Sequence, residues 1–182
     1  MPSLHDLSTV ELLALYRTRQ LSPVEYIDAV LAHIERWEPQ LCALYAHDPQ
    51  RAREQARQSE ARWMRAEPHG ELDGVPVTIK ELIATTGDPI PQGSAATLLQ
   101  PATCDAPPAA RIAEAGTILL GKTTVPDFGM LSSGLSSFHK LARNPWDLRM
   151  NPGGSSAGAA SAAAAGYGPL HIGTDIDRKS VV

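Results

Sequence analysis

Cysteine is scarce in this chain: Cys42 and Cys104 are the only two, and they show no metal-ligand spacing. That is too few for a disulfide framework. Reduced thiols in a cytosolic protein fit best, with a single bridge between the two left as an open alternative. None of the six histidines forms an i, i+4 pair, so no helix-borne metal site is expected. Long apolar runs are missing as well. The alanine-rich stretch 157–165 is too short to span a bilayer and is interrupted by Gly158 and Ser161. The first residues lack a basic stretch followed by an apolar one, which predicts no export leader, no membrane association and a cytoplasmic location. Nor is there an excess of positive charge. Sixteen Lys and Arg stand against twenty Asp and Glu, a net charge of −4, which offers nothing to nucleic acid or anionic lipid. Arg51, Arg53, Arg57, Arg62 and Arg65 do cluster, but Glu54, Glu60 and Glu67 interleave with them, as on a solvated helix face.

What is present is enough for one domain: 182 residues, 43% of them apolar, can bury a sizeable core. Ser8 with Glu11 and Ser22 with Glu25 have capping-box spacing, and Pro23 falls at a favoured first helical position. Apolar residues at helical spacing follow each, and Asp48-Pro49 predicts a third helix running toward Met64, broken by Glu67-Pro68-His69-Gly70. From Leu72 the pattern changes. Residues 75–79 read as a β-branched strand, 109–115 as a helix ended by Gly116, and 117–120 as a second strand. A Ser-, Gly- and Pro-rich loop covers 129–154, followed by the alanine-rich helix and a last strand at 169–173, in which His171 reads as a hydrogen-bonded core histidine. Strands alternating with helices predict an α/β fold, with a mixed, largely parallel sheet flanked by helices.

Two places in this pattern carry chemistry. Lys80 ends the first strand: it is either a surface lysine or a buried amine whose charged form is disfavoured, able to act as a base. The loop Gly153-Gly154-Ser155-Ser156 leads into a helix and reads as an N-cap turn or an anion cradle. A phosphate-binding P-loop is disfavoured, because that motif ends in Gly-Lys-Ser/Thr and Ser156 is followed by Ala157.

Three segments together, Gly74-Val-Pro-Val-Thr-Ile-Lys80-Glu-Leu, Asn151-Pro-Gly-Gly-Ser-Ser-Ala-Gly158 and Gly173-Thr-Asp175-Ile176, resemble the amidase signature family, whose Ser-Ser-Lys triad cleaves carboxamides. The resemblance implies that Lys80 is the base and that Ser155, after a cis peptide bond, bridges it to the nucleophile. Gly154 avoids a Cβ that would crowd this geometry, and Ser156 supplies a supporting hydrogen bond. It further implies an oxyanion hole built from backbone N–H groups from Ile176 onward, with Asp175 organising that loop. Residues 121–133 would line the acyl pocket, with Met130, Ser132, Gly154 and Ser156 as substrate-facing candidates, and Thr124 stands where asparagine is common. Asn144-Pro-Trp146-Asp147 matches the family as a structural turn. The implied enzyme takes a small-molecule amide, uses no metal and no organic cofactor, and is compatible with self-association. Two alternatives remain: the glutaminase-type subunit of a tRNA-dependent amidotransferase, which needs partner subunits, and a non-catalytic ligand-binding module.

The pattern departs from the family after Ile176. The nucleophilic serine is absent: family spacing puts it at position 179, which is lysine, while Ser180 comes one residue late and Asp177 and Arg178 replace the two turn-forming glycines. Asp177-Arg-Lys-Ser-Val-Val182 is also the translation of a common short-read sequencing adapter. The expectation is therefore an amidase domain portion at 1–176 and a non-native tail at 177–182, with uncovered sheet edges, poor solubility and no turnover for the chain as it stands.

Overall fold

The computed structural model describes residues 3–175, so the expectations for Ile176 and for the tail 177–182 lie outside the described residues. Helices α1 (Thr9–Arg17) and α2 (Pro23–Leu41) each open with a reciprocal capping box. The Ser8 hydroxyl accepts the Glu11 N–H while the Glu11 carboxylate accepts the Ser8 N–H at 2.9 Å, and Ser22 with Glu25 repeats the arrangement at 2.8 Å. Tyr26, Ile27, Val30, Leu31 and Ile34 form the buried stripe of α2. Cys42 ends that helix in the left-handed conformation and turns the chain into β1 (Leu44–Tyr45). Helix α3 (Pro49–Met64) starts at Asp48, whose carboxylate accepts the N–H groups of Gln50 and Arg51 at 3.0 Å.

The remaining elements are β2 (Pro76–Lys80), α4 (Pro107–Glu114), β3 (Ile118–Thr123), α5 (Ala157–Ala164) and β4 (Leu170–Ile172). The four strands lie in the order β1-β3-β2-β4; β1 runs antiparallel to β3, and β2 is parallel to both of its neighbours. Flanked on both sides, β2 is buried along its whole length. Pro76 is tolerated in this central strand because it is the first residue, where a missing N–H costs least. The period of two then sorts its side chains. Val77 and Ile79 pack with Ala109 and Ile112 of α4, whereas Lys80 reaches the loop that precedes α5 on the other face.

The sequence reading places the end of the second strand at Leu120; the strand in fact continues through Gly121, Lys122 and Thr123. The ladder with β2 changes register here, pairing Val77 with Leu119 but Thr78 with Gly121, so one residue is extra on β3. Groups freed by this bulge find side-chain partners. Leu119 N–H donates to Gln55 at 3.1 Å, and the Leu120 carbonyl lies 2.6 Å from His47 Nδ1. Polar Gly-Lys-Thr reads as loop because nothing in it signals that Lys122 and Thr123 are buried.

The arginine cluster also needs correction. Arg53 and Arg57 pair with surface acids, but Arg62 clamps the fully buried Asp73 through two bonds of 2.8 and 2.6 Å. Burial alone would raise the Asp73 carboxyl, but Arg62, the His69 N–H and Ser59 hold it below its ordinary value. Arg51 likewise reaches Asp88 on the loop after β2, at 3.3 Å.

Helix α5 is made of small residues because it lies hard against its neighbours. A Cβ on Gly158 would come within 2.3 Å of the Ala43 carbonyl oxygen and 2.4 Å of the Thr124 nitrogen, both backbone atoms. Thr124, where the family often has asparagine, keeps this seam hydrogen-bonded: its N–H donates to Ala43 O and its carbonyl accepts the Gly158 N–H, both at 2.9 Å.

Helix propensity favours Gly158→Ala by about 1 kcal/mol, yet crowding against backbone is expected to reverse the sign and destabilise the chain by about 2 kcal/mol in urea unfolding. Asp73→Asn, which strands Arg62, is expected to cost about 2 kcal/mol, toward the low side because Arg62 is partly solvated. Because the Asp73 carboxyl is depressed in the fold, its contribution is full above the ordinary carboxylate range. It is lost as pH falls below about 4, so the gap between the two proteins closes in acid.

Candidate active site

Lys80 stands at the C-terminal tip of β2 with no solvent exposure. Burial lowers its amine to about 8, against the opposing charges of Asp175 and Glu81. Its Nζ donates to Ser155 Oγ at 2.8 Å and to Thr174 Oγ1 at 2.7 Å. The lysine is therefore the buried one of the two readings. Its partners are hydroxyls, which accept from the ammonium and, once it is neutral, donate to the amine.

Ser155 is delivered by the turn that enters α5, where the Gly154–Ser155 peptide bond is cis. Gly154 has no alternative at its position, because a Cβ would stand 2.6 Å from the Ser133 oxygen and 2.8 Å from the Leu131 oxygen. Ser156 is the residue before α5, but its hydroxyl does not cap the helix. It donates to the Thr174 carbonyl and accepts the Thr174 N–H, both at 3.1 Å, and so latches the segment after β4 to the start of α5.

Thr174 is the residue the sequence reading missed. It lies inside the quoted segment Gly173-Thr-Asp175, two positions past β4, and β4 is parallel to β2 with Ile172 opposite Ile79. Parallel neighbours bring their C-terminal ends to the same place, so the signal was available once that pairing was known. His171 is the core histidine expected, with Nδ1 2.8 Å from Thr78 Oγ1 and Nε2 2.9 Å from the Gly168 oxygen.

Around Ser155 opens a cavity of about 590 Å³ that gathers Met130, Ser132, Gly154, Ser156 and Asp175, together with Gly129 and Thr174. All substrate-facing candidates inside the described residues thus line one space; Ile176 falls outside them. A larger cavity of about 810 Å³, between α2, β1 and the start of α3, touches Glu38, Cys42 and Tyr45 but neither Lys80 nor Ser155. Of these two cavities, the smaller is the one lined by Ser155.

Two further buried ionisable groups went unread in the sequence. Glu81 is fully buried beside Lys80, and Lys122 is fully buried on β3. Lys122 Nζ donates to the Ile83 carbonyl and to Thr85 Oγ1. Burial lowers it to about 8, with Asp88, Glu81 and Asp105 opposing and Arg51 reinforcing. Asn144-Pro-Trp146-Asp147 is the structural turn expected, closed by Asp147 N–H to Asn144 O at 3.1 Å. Cys42 and Cys104 are free. Among the described residues no cluster of metal-ligating side chains occurs, and no helix is long and apolar enough to cross a membrane.

The family model for amidase matches residues 25–178. A glutamyl-tRNA(Gln) amidotransferase subunit of Anaeromyxobacter sp. (strain K) is 40% identical over 157 residues, which cover 86% of this chain and 32% of that protein. The corresponding protein of Halorhodospira halophila is 38% identical over 174 residues, 94% of this chain and 35% of that protein. Among solved structures, a bacterial aryl acylamidase of the amidase signature enzymes superimposes with a TM-score of 0.84 at 31% identity, over 93% of this chain and 36% of its own. Fatty acid amide hydrolase shares the fold at a TM-score of 0.91 and 21% identity, over 97% of this chain and 32% of its own. The chain spans about a third of the length of the curated relatives it matches. On the family match over residues 25–178 and the shared fold, the chain belongs to the amidase signature family.

Proposed function

We propose that this chain carries the base and the bridging serine of a cytoplasmic amidase, one that hydrolyses a carbon–nitrogen bond of a small amide through an acyl-serine intermediate. The observation that carries this reading is the 2.8 Å contact between the buried Lys80 amine and Ser155 Oγ. Neutral Lys80 accepts the Ser155 hydroxyl proton as Ser155 accepts the proton of the nucleophilic serine, whose oxygen then attacks the amide carbonyl. In the complete enzyme, the oxyanion falls to the backbone N–H groups that the family resemblance assigns from the Ile176 position onward, a contribution of about 3–4 kcal/mol per donor. The same relay returns the proton to the leaving nitrogen as the carbon–nitrogen bond breaks, and water later releases the acyl group. No metal or organic cofactor enters any step.

The serine activated through this relay belongs to the Gly-Gly-Ser turn that family spacing puts at 177–179, where this chain has Asp177-Arg-Lys179. We propose that 177–182 is a foreign tail, which resequencing the source DNA across the Ile176 codon decides. A second reading, the glutaminase-type subunit of an amidotransferase, is favoured by the 40% identity to the glutamyl-tRNA(Gln) amidotransferase subunit of Anaeromyxobacter. It requires partner subunits, and co-purification with them separates it from a free-standing amidase.

The chain as it stands is expected to give no turnover of a simple aryl amide, and hydrolysis by it would sink the assignment of the nucleophile. A chain carrying Gly-Gly-Ser at 177–179 and the family's C-terminal part is expected to hydrolyse that amide, and Lys80→Ala to reduce kcat about 10²–10⁴-fold. Because protonated Lys80 cannot accept, kcat/KM should rise with pH and level off above about 8. A folded but inert extended chain would instead indicate a binding module.

A further inference from the structure

Glu81 follows the base directly, is fully buried, and has no part in the relay. Its carboxylate accepts the backbone N–H groups of Gln92 at 2.8 Å and Gly93 at 2.7 Å, and its Oε2 lies 3.1 Å from His139 Nε2. Its own N–H donates to the Thr123 carbonyl at 3.0 Å, which pins the residue to the end of β3. Three separate stretches, the end of β2, the turn at 91–94 and the loop at 136–139, therefore converge on one side chain.

The second tier of contacts leads to the cavity. Phe128 N–H donates to the Gln92 carbonyl at 2.7 Å, and the Ser136 hydroxyl donates to the Gly93 carbonyl. A Cβ on Gly93 would stand 2.4 Å from the Pro126 oxygen, so the 91–94 turn sits directly on the segment that becomes the cavity wall. That wall in turn lies against Ser155 and the Leu82 side chain: a Cβ on Gly129 would meet Leu82 at 2.7 Å and Ser155 Oγ at 3.9 Å. Without the anchor at Gln92 and Gly93, nothing else among the described hydrogen bonds ties the 91–94 turn back to the strand that carries Lys80.

We propose that Glu81 is a positioning residue of the amidase reaction, whose carboxylate fixes the wall at 128–132 against the Lys80–Ser155 pair. The assignment deepens the amidase reading and rests on Lys80 being its base. Two acceptor oxygens are needed for this tie, one for each N–H, which a neutral amide lacks, and the Glu81 carboxylate also bears electrostatically on the Lys80 amine. The charged groups that bear on Lys80 are Glu81 and Asp175. Those around Glu81 itself are His139, Lys122 from β3 and Tyr45 from β1. Burial pushes the amine toward its neutral form while Asp175, and after it Glu81, pull it back, so this carboxylate is one of two that bear on where along the pH scale the relay becomes competent.

The test is an NMR titration of the four lysines in the 182-residue chain labelled at Cε, assigned with Lys80→Arg and Lys122→Arg. Glu81→Gln removes the charge and keeps the outline, but leaves a single accepting oxygen for the two N–H groups of Gln92 and Gly93. Lys80 is expected to titrate about one unit lower in it, and the Met130 amide to exchange at least about tenfold faster as the wall loosens. An unmoved Lys80 midpoint overturns the role. Should the variant fail to fold, the unsubstituted chain still decides: Gln92 and Gly93 amides protected as long as those of β2 support the anchor, and their exchange within the dead time refutes it. Failure of the two readings is distinguishable. Lys80 titrating at the ordinary lysine value in the unsubstituted chain removes the amidase base itself, whereas a depressed midpoint that ignores Glu81→Gln removes only the positioning role.

Discussion

The contact of Lys80 Nζ with Ser155 Oγ is the constraint to which the rest of this structure answers. A lysine ammonium loses several kcal/mol of hydration when buried, so the fold must both enclose it and leave it oxygen partners. Enclosure comes from placing Lys80 on the central strand, with β3 on one side and β4 on the other. The partners come from elements far apart in sequence, Ser155 from the turn before α5 and Thr174 from the end of β4. Both must arrive within about a hydrogen-bond length at once. That requirement explains why α5 is nearly side-chain-free where it crosses the sheet: Gly158 lets it approach the Ala43 and Thr124 backbone closely enough for Ser155 to reach the strand tip.

The two buried lysines show how the same desolvation leads to different chemistry. Both amines are lowered to about 8, burial being the chief cause in each. Lys122 donates to the Ile83 carbonyl, an oxygen with no proton to give, and to Thr85 Oγ1, whose own proton is committed to Asp88 at 2.8 Å; it braces the turn that follows Glu81. Among the described residues the Lys80 amine hydrogen-bonds to hydroxyls, each of which can surrender a proton. A depressed amine is therefore no sufficient sign of a base. What its hydrogen-bond partners can donate makes the difference.

Local rules carried much of this fold into the sequence. Capping boxes at Ser8 and Ser22, the Asp48-Pro49 start and the glycine after α4 mark helix ends through contacts three or four residues long, so they are visible without tertiary knowledge. The lysine and serine of the site were legible through the family's motifs. Others were hidden because their roles are set by partners distant in sequence. Strand β1 has two residues, too few for an alternation to register. Arg62 looks like any surface arginine until Asp73 is brought under it, and Thr174 gains meaning only from the pairing of β4 with β2. Glu81 can sit inside the protein because two backbone N–H groups, eleven and twelve positions on, and His139 return to it.

The extra residue in β3 has an effect that reaches beyond its own turn of chain. In a ladder without it, counting on from Val77 opposite Leu119 would seat Lys122 directly across from Lys80, two cations abreast on one face. The inserted position switches the parity of everything after it. Lys122 instead stands opposite Ile79 and Thr123 opposite Lys80. One surplus amino acid thereby segregates two like charges to opposite sides of a single sheet, and leaves the face toward Ser155 with one amine to itself.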